Sequence, residues 1–496
     1  MSRSSACALL LFSFALVVPV RAQPAPVLAP DKPLTLDDSI AFALRKNFDL
    51  QVQAYSTESA RDSLTIAKAG FDPNITANAT RNFSNTPNTG SRLEGTTNDN
   101  TSFRAGISQP LIWTNGSLSL SSSLTRSATN NSFSTLNPNF GNGVTASLSQ
   151  PLLRNAGRTA ARSNINRNKL GVDIAVLAYK SQVLNLIRDT ETAYYALVTA
   201  RETLRIRQLS LDLAQKLYDE NQARQTAGMM TSLDVLSAEV GVQNARGAVL
   251  QADKGVRDAE EALLTLINAP DLDVRPGPVK FDDYTGGAPN FAASYKLARE
   301  YYPATLSAED TLKQLQIDLD VAHRNLLPNL NLDTSLGYTA AATNQGYADV
   351  ISNLPHDHGN NWSIALSYSM PWGRRADKAR YHQAQLNVST QKLRLDQAEQ
   401  QLIVLVRSAV RTVETNLSAV EIAGQATALS EKQYEQQKAR FDAGLTTSRL
   451  VLQAQDDLEN ARFNELGAKL TLRRAAAELH RLEGTSLQHY HVEFPQ

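Results

Sequence analysis

The chain has 496 residues, more than one ordinary hydrophobic core takes. Its 49 basic and 49 acidic residues cancel, which argues against nucleic acid as the main partner, because phosphate binding needs a basic excess. A 42% hydrophobic share, with ample Leu and Val, argues against wholesale disorder.

Residues 1–22 read as a cleaved secretory signal. Arg3 supplies the positive charge, Ala8 to Val18 is an apolar run, and Val20-Arg21-Ala22 is a small-residue exit site. The run is too short to span a bilayer, which takes ~20 apolar residues. Cys7, the only cysteine, lies inside it and sits too early to be a lipidated one. The mature chain then has no disulfide, thiol nucleophile or cysteine metal site. No other apolar run reaches spanning length, so a mature chain that crosses a membrane must do so as strands of a barrel.

Residues 23–34, with Pro24, Pro26, Pro30 and Pro33, form a flexible leader. Residues 35–69 are helical in pattern, starting at Thr35 and Asp38 and breaking near Asn47-Phe48. At Phe71-Asp72-Pro73 the texture changes to Asn, Ser and Thr. Strands are expected over 74–151, where four stretches alternate with period two. They are Ile75/Ala77/Ala79, Phe103/Ala105/Ile107, Leu118/Leu120 with Leu124, and Val144/Ala146/Leu148. Residues 84–100 and 128–142 are long polar loops, whereas Trp113-Thr114-Asn115-Gly116 is a short turn. Short turns at one end and long loops at the other are the habit of outer-membrane barrels, although a half-buried sheet in a soluble domain gives the same alternation.

A helical hairpin is expected over 158–268 with its tip at 228–231, where Leu197, Leu204, Leu211 and Tyr218 recur every seven residues. The linker 269–290 is rich in Pro and Gly. The order of events then starts again. Helix 291–326 breaks at Tyr302-Pro303, and strands 329–371 include Leu330/Leu332 with Leu336 and Tyr338, then Trp362/Ile364/Leu366/Tyr368/Met370. Between them lies a third polar loop, 341–360. A second helical hairpin spans 374–483 with its tip at 444–447, and a tail covers 484–496. Leu402, Val406, Val410, Val413, Leu417 and Val420 step by three and four, a coiled-coil-like seam. Pro73, Pro110, Pro151, Pro328 and Pro371 mark the strand–helix junctions, since proline cannot donate to a ladder and sits naturally at a strand end.

One stretch occurs twice. Residues 223–246 and 439–462 align without a gap and share 12 of 24 positions. Gly228 and Gly444 suit the left-handed residue that ends a helix, and Thr231-Ser232 and Thr447-Ser448 suit the cap of the next one. The two copies, 216 residues apart, indicate an internal repeat of about half the chain. The legs before the turns are ~105 Å long at 1.5 Å per residue, and the returning legs ~55 Å. A returning leg stacked on a strand-leading helix of ~30–35 Å nearly matches the long leg.

With these features, the mature chain resembles the TolC family of outer-membrane efflux and export channel proteins over essentially its whole length. The carriers are Leu36-Asp37-Asp38-Ser39-Ile40-Ala41-Phe42-Ala43-Leu44 with Asn47, the Phe71-Asp72-Pro73 strand entry, the Gln-Pro-Leu strand exits at 109 and 150, and the doubled Ala-Gly-x-x-Thr-Ser-x-x-Val-Leu turn. The resemblance implies a membrane β-barrel continued by a long α-helical, coiled-coil periplasmic tunnel, built from two internal repeats and closed as a homotrimer. It implies outer-membrane lipid, a periplasmic adaptor (membrane fusion) protein and an inner-membrane RND, ABC or MFS pump as partners. It implies neither nucleic acid, cofactor nor enzyme activity. The tip residues for adaptor contact and gating would be Arg224, Gly228, Thr231, Ser232, Asp234 and Val235 in the first copy. In the second they would be Arg440, Gly444, Thr447, Ser448 and Val451. Arg224 and Arg440 either complement a helix C-terminus or pair across the closed tip.

Two departures stand out. Family members commonly have four strands per chain, and six are counted here, so the barrel has 18 strands or carries an extra hairpin outside or inside twelve. Acidic residues that narrow the tip in relatives are replaced by Leu450 and Gln453, while the first copy has Asp234 and Asp456-Asp457 follow a turn later. Other chemistry is absent from the sequence. His356-Asp357-His358 and His489-Tyr490-His491 read as solvated, and neither a P-loop nor a Gly-x-Ser-x-Gly elbow occurs. Trp113, Trp362, Trp372 and Tyr368 suit membrane-interface belts, with core packing as the competing reading for Trp372. The reading is a passive exit duct of a tripartite efflux or type I secretion system, gated at its tip. A structural or adhesive coiled-coil envelope protein would need neither paired strand blocks nor a doubled turn, and a soluble periplasmic adaptor would lack the amphipathic strands.

Overall fold

The computed structural model describes residues 33–86, 95–135, 137–268, 275–280, 284–343, 347–353 and 358–490. The signal segment, most of the leader, His356-Asp357, His491 and parts of the linker lie outside the described residues.

Helices α1 (Leu36–Lys46) and α2 (Phe48–Ala69) lead into strands β1 (Asn74–Asn85), β2 (Thr97–Pro110), β3 (Ser117–Thr129) and β4 (Asn139–Pro151). The long hairpin of α3 (Gly157–Thr226) and α4 (Ser232–Leu266) follows. The second half runs α5 (Phe291–Tyr301), α6 (Pro303–Arg324), β5 (Asn329–Thr343), α7 (Tyr347–Asn353), β6 (Gly359–Ser369), α8 (Arg375–Asp442), α9 (Ser448–Glu483) and α10 (Ser486–His489). Asn47 both ends α1 and starts α2. Its Oδ1 accepts from Leu50 N at 3.1 Å, and its Nδ2 donates to the Leu266 carbonyl of α4 at 3.2 Å. Between α5 and α6 the same break is made by Tyr302-Pro303, with proline in the first turn, where its missing N–H costs nothing.

The six strands form one antiparallel sheet in sequence order. Its register sorts the side chains by face. One row across the strands reads Ile75, Ile107, Leu120, Ala146, Leu336, Trp362. On the other face a row reads Asn74, Ser108, Ser119, Ser147, Ser335, Ser363, and the next reads Thr76, Gly106, Ser121, Thr145, Gly337, Asn361. Hydroxyl pairs tie the polar face together, Ser119–Ser147 at 2.7 Å and Ser335–Ser363 at 2.8 Å. The strands run 11 to 15 residues, longer than the alternation alone suggests, because Asn, Ser and Thr of the expected loops continue the ladder. The third loop contains α7, whose Tyr347 ring packs edge-on to Phe103 and Phe140 on the apolar face, with centroids 5.9 and 5.1 Å apart.

The helices pack four abreast. α2 and α4 share one side of α3, α6 and α9 share the other, and α8 lies beyond these. α3 contains a stretch apolar enough by length and composition to cross a bilayer, and it is one wall of this packing. Two apolar cores brace the layer. Ile40, Phe42 and Leu50 meet Val183, Ile187, Tyr194 and Leu197 of α3 and Leu263 of α4. Ala298 of α5 meets Leu402, Val406, Val410 and Val413 of α8 and Leu472 and Leu479 of α9. The tail docks as well, since Tyr490 Oη donates to Glu191 Oε1 at 2.6 Å. Trp372 is fully exposed in the protomer, so core packing within the chain is ruled out for it.

Candidate functional site

The doubled turn closes the same way in both copies. Gly228 has φ +77 and Gly444 φ +72, left-handed values that only glycine adopts without strain. Met229 N reaches the Arg224 carbonyl at 2.8 Å, and Leu445 N reaches the Arg440 carbonyl at 2.8 Å. These are Schellman closures that satisfy the last helical carbonyls. The starts of the returning helices differ. Thr231 and Asp234 form a reciprocal capping box on α4. Thr447 makes no side-chain cap bond, and Leu450 at the third position has no carboxylate to return one. Asp234 is therefore engaged in a helix start. Ser232 is exposed, Ser448 is buried, Val235 is half-buried and Val451 is buried.

Between the two tips lies a charged joint that links the first hairpin to the second. Arg224 donates to the Phe441 carbonyl at 3.2 Å, pairs with Glu220 at 2.6 Å and stacks over the Phe441 ring at 4.3 Å. Lys438 pairs with Glu220 at 2.7 Å and with Asp442 at 3.0 Å. Burial pulls the Lys438 ammonium down, and its bonds to Glu220 and Asp442 more than reverse this, leaving it above its ordinary value. Beneath the joint Leu217, Phe441 and Val451 form a small apolar cluster. Further along, Glu459 of α9 takes Arg207 and, at 2.6 Å, Ser210 of α3, while Gln455 Nε2 reaches the Ser210 carbonyl at 2.9 Å.

Of the two arginines singled out in the sequence, Arg224 joins the hairpins. Arg440 is exposed and makes no ion pair among the described residues. Glu220, Lys438, Phe441 and Asp442 were not legible as site residues. Their signal was complementary divergence: Glu220 aligns with Gln436, and Lys438 with Gln222. Each copy carries the charge the other lacks.

At the opposite end the junction prolines close the strands. Pro110 and Pro151 end β2 and β4, Pro73 and Pro328 precede β1 and β5, and Pro371 follows β6. The preceding glutamines stitch neighbouring strands. Gln109 Nε2 reaches the Phe71 carbonyl at 2.6 Å, and Gln150 Nε2 reaches the Thr114 carbonyl at 3.1 Å. Arg154 of this junction meets buried Asp377 of α8 at 3.4 Å. His358 packs on Tyr338 and His489 on Tyr490.

Residues 113–269 and 295–485, most of the chain, match the outer membrane efflux protein family. TolC of Escherichia coli (strain K12) is 22% identical over 322 residues, covering 61% of this chain. The match spans 63% of TolC, less than two thirds of its length. The pyoverdine export outer membrane protein OpmQ of Pseudomonas aeruginosa is 25% identical over 299 residues, 59% of this chain and 61% of that protein. Among solved structures, the Campylobacter jejuni CmeC outer membrane channel superposes with a TM-score of 0.68 at 18% identity, over 90% of this chain and 85% of that one. The sequence match and the shared architecture agree: the chain belongs to the outer membrane efflux protein family.

Proposed function

We propose that three copies of this outer-membrane protein close into a passive exit duct of a tripartite efflux or type I secretion assembly. The chain would contribute two tandem repeats, one third of a barrel wall and one third of a periplasmic tunnel. The tunnel is gated at the doubled turns when an adaptor and an inner-membrane pump engage, and the pump supplies the energy.

One observation carries this reading. The sheet and the helical layer end on the same two sides, and both ends are open. β1 follows directly from α2 and β6 leads directly into α8, helices at opposite edges of the helical layer. Unpaired edge strands invite pairing. The helical edges expose apolar stripes: Phe48, Val52 and Tyr55 on α2, Leu233, Leu236 and Val240 on α4, and Leu386 and Leu393 on α8. Joining one copy's β6–α8 edge to the next copy's β1–α2 edge is a head-to-tail contact that closes into a ring. The family supplies the count of three. Element lengths support the tandem arrangement: helices of 11 and 22 residues precede the strands in both halves, and the hairpins run 70 with 35 and 68 with 36.

The test is fractionation followed by mass determination. The protein should sediment with outer membranes, need detergent for extraction and elute as a trimer. A monomer released without detergent would overturn the reading.

A further inference from the structure

We propose that the β2–β3 hairpin is part of the barrel wall, so that the duct crosses the membrane through eighteen strands at the full bore of its tunnel. This rests on the trimeric-barrel reading above.

Three observations carry it. First, the hairpin is bound along both edges. β1 pairs with β2 over twelve positions and β3 with β4 over eleven. Second, its two faces continue those of its neighbours. Phe103, Ala105, Ile107, Leu118, Leu120 and Leu124 share the apolar face, while Ser119, Ser121, Ser123 and Thr125 share the hydroxyl face. A hairpin lying outside a smaller barrel would press a hydroxyl face against wall or lipid, and one lying inside would turn leucines to water. Neither fits the segregation. Third, both ends of the hairpin are fastened in line with the wall. At the turn, Asn115 Nδ2 reaches the Asn155 carbonyl at 2.9 Å, and Arg158 and Arg162 of α3 stack over Trp113 at 5.1 and 4.5 Å. At the far end Asp99 of β2 bridges Arg81 of β1 at 3.0 Å and Arg126 of β3 at 3.4 Å.

At the ~35–45° tilt usual for outer-membrane barrels width agrees with six strands, and four would reach the same arc only at a steeper tilt. Four helices abreast at ~8–10 Å each give a protomer arc of ~32–40 Å. Strands ~4.8 Å apart and tilted ~35–45° occupy ~6–7 Å of circumference each. Six strands then span ~35–41 Å, matching the helical arc, whereas four span only ~23–27 Å. Three copies would give a backbone diameter of ~34–39 Å, against ~22–26 Å for a twelve-strand wall. The lining would be mostly Ser, Thr, Asn and Gly, with Arg104 and Asp333 as its charged members, a surface for hydrated cargo as wide as the tunnel admits.

The mature chain expected from the sequence has no cysteine, so single-cysteine spin labels are clean probes. Labels at Ser119→Cys and Leu120→Cys on β3 are compared with Ser335→Cys and Leu336→Cys on β5, which lie in the same two rows. In reconstituted trimers the serine positions should favour collision with a water-soluble nickel chelate. The leucine positions should favour lipid-soluble oxygen, with the same reversal on both strands. Reversal on β5 but not on β3 would overturn this inference and leave the barrel standing. Absence of reversal on β5 would overturn the barrel reading and this inference together. Electron cryo-microscopy down the trimer axis should show eighteen strands, and a count of twelve refutes the proposal whatever the labels report.

Discussion

Arg224→Ala should open the tip. The side chain makes a charge-assisted bond to the Phe441 carbonyl, an ion pair with Glu220 and a stack on the Phe441 ring. A hydrogen bond from a charged group contributes ~1.5–3 kcal/mol, and the low end applies to this part-exposed site. The Glu220 pair joins two residues of α3 and survives separation of the hairpins, so it adds nothing across the joint. The stack on the Phe441 ring contributes ~0.5–1 kcal/mol. Lys438 already holds Glu220 and Asp442, so part of the loss is absorbed. A net ~1.5–2 kcal/mol per chain is a ~10- to 30-fold shift in the balance between joined and separated hairpins. Purified channels in planar bilayers should therefore show a higher conducting fraction and more frequent openings than wild type. Arg224→Lys keeps the charge but not the flat stack and should fall between the two. Wild-type gating by Arg224→Ala, with the trimer intact, would refute the assignment of this joint as the lock.

Other consequences concern the turns and the mid-height packing. Gly228→Val and Gly444→Val should each cost ~1–2 kcal/mol through backbone strain alone, since an added Cβ meets nothing within 4 Å. Asn at either position should cost less, and equal protease sensitivity of the Val and Asn variants at the tip would contradict this. Thr231→Ala should weaken the start of α4 by ~1 kcal/mol, while Thr447→Ala should change α9 by only a few tenths, because only Thr231 caps through its side chain. Amide exchange in the two first turns measures the contrast. His480 is held below its ordinary value of 6.5, mainly by burial, with Arg473 and His489 adding to this and Glu483 opposing it. The unfolded chain then binds the proton more tightly, so folding stability is full above 6.5 and falls as pH drops through the lower folded value. His480→Gln should flatten the melting temperature across that window, and an unchanged slope would remove His480 from the account.

What the sequence revealed follows from where water and lipid lie. Ile75, Ile107, Leu120 and Leu336 stand out because a wall wet on one face and oily on the other forces strict alternation. The strand ends did not stand out. Asn98, Asn100 and Ser127 extend the ladder, yet polar residues neither demand nor forbid a strand, and they read equally well as loop. α7 is seven residues, too short for a periodic signal, and its place is set by Tyr347 against two rings distant in sequence. The turn itself was legible from glycine and threonine. Its charged joint was not, because Glu220 and Lys438 precede the duplicated stretch and meet only when the hairpins pack. Asp234, the acid of the first copy, finds its partner in a threonine one turn away and serves the start of α4.

On the proposed reading, the distribution of packing assigns movement to the tip. The mid-height core on α3 joins residues from four helices, and its centre is wholly buried. The tip cluster has three buried residues, and just behind it Asn221 Oδ1 and Gln437 Oε1 are buried without hydrogen-bond partners in the described structure. These two amides occupy equivalent positions in the two hairpins, 216 residues apart. Few apolar contacts and unsatisfied polar atoms are the marks of a region that opens before the rest. The charged joint offsets that weakness, and its ions regain water on separation, so the barrier stays modest. The tips also expose Met229, Leu233, Leu236, Leu445 and Leu450. On the proposed reading an adaptor that buried two of these leucines would gain ~3–6 kcal/mol. That exceeds the ~1.5–2 kcal/mol assigned to Arg224 by the sum above. Docking could therefore drive opening, with no energy source in the duct itself.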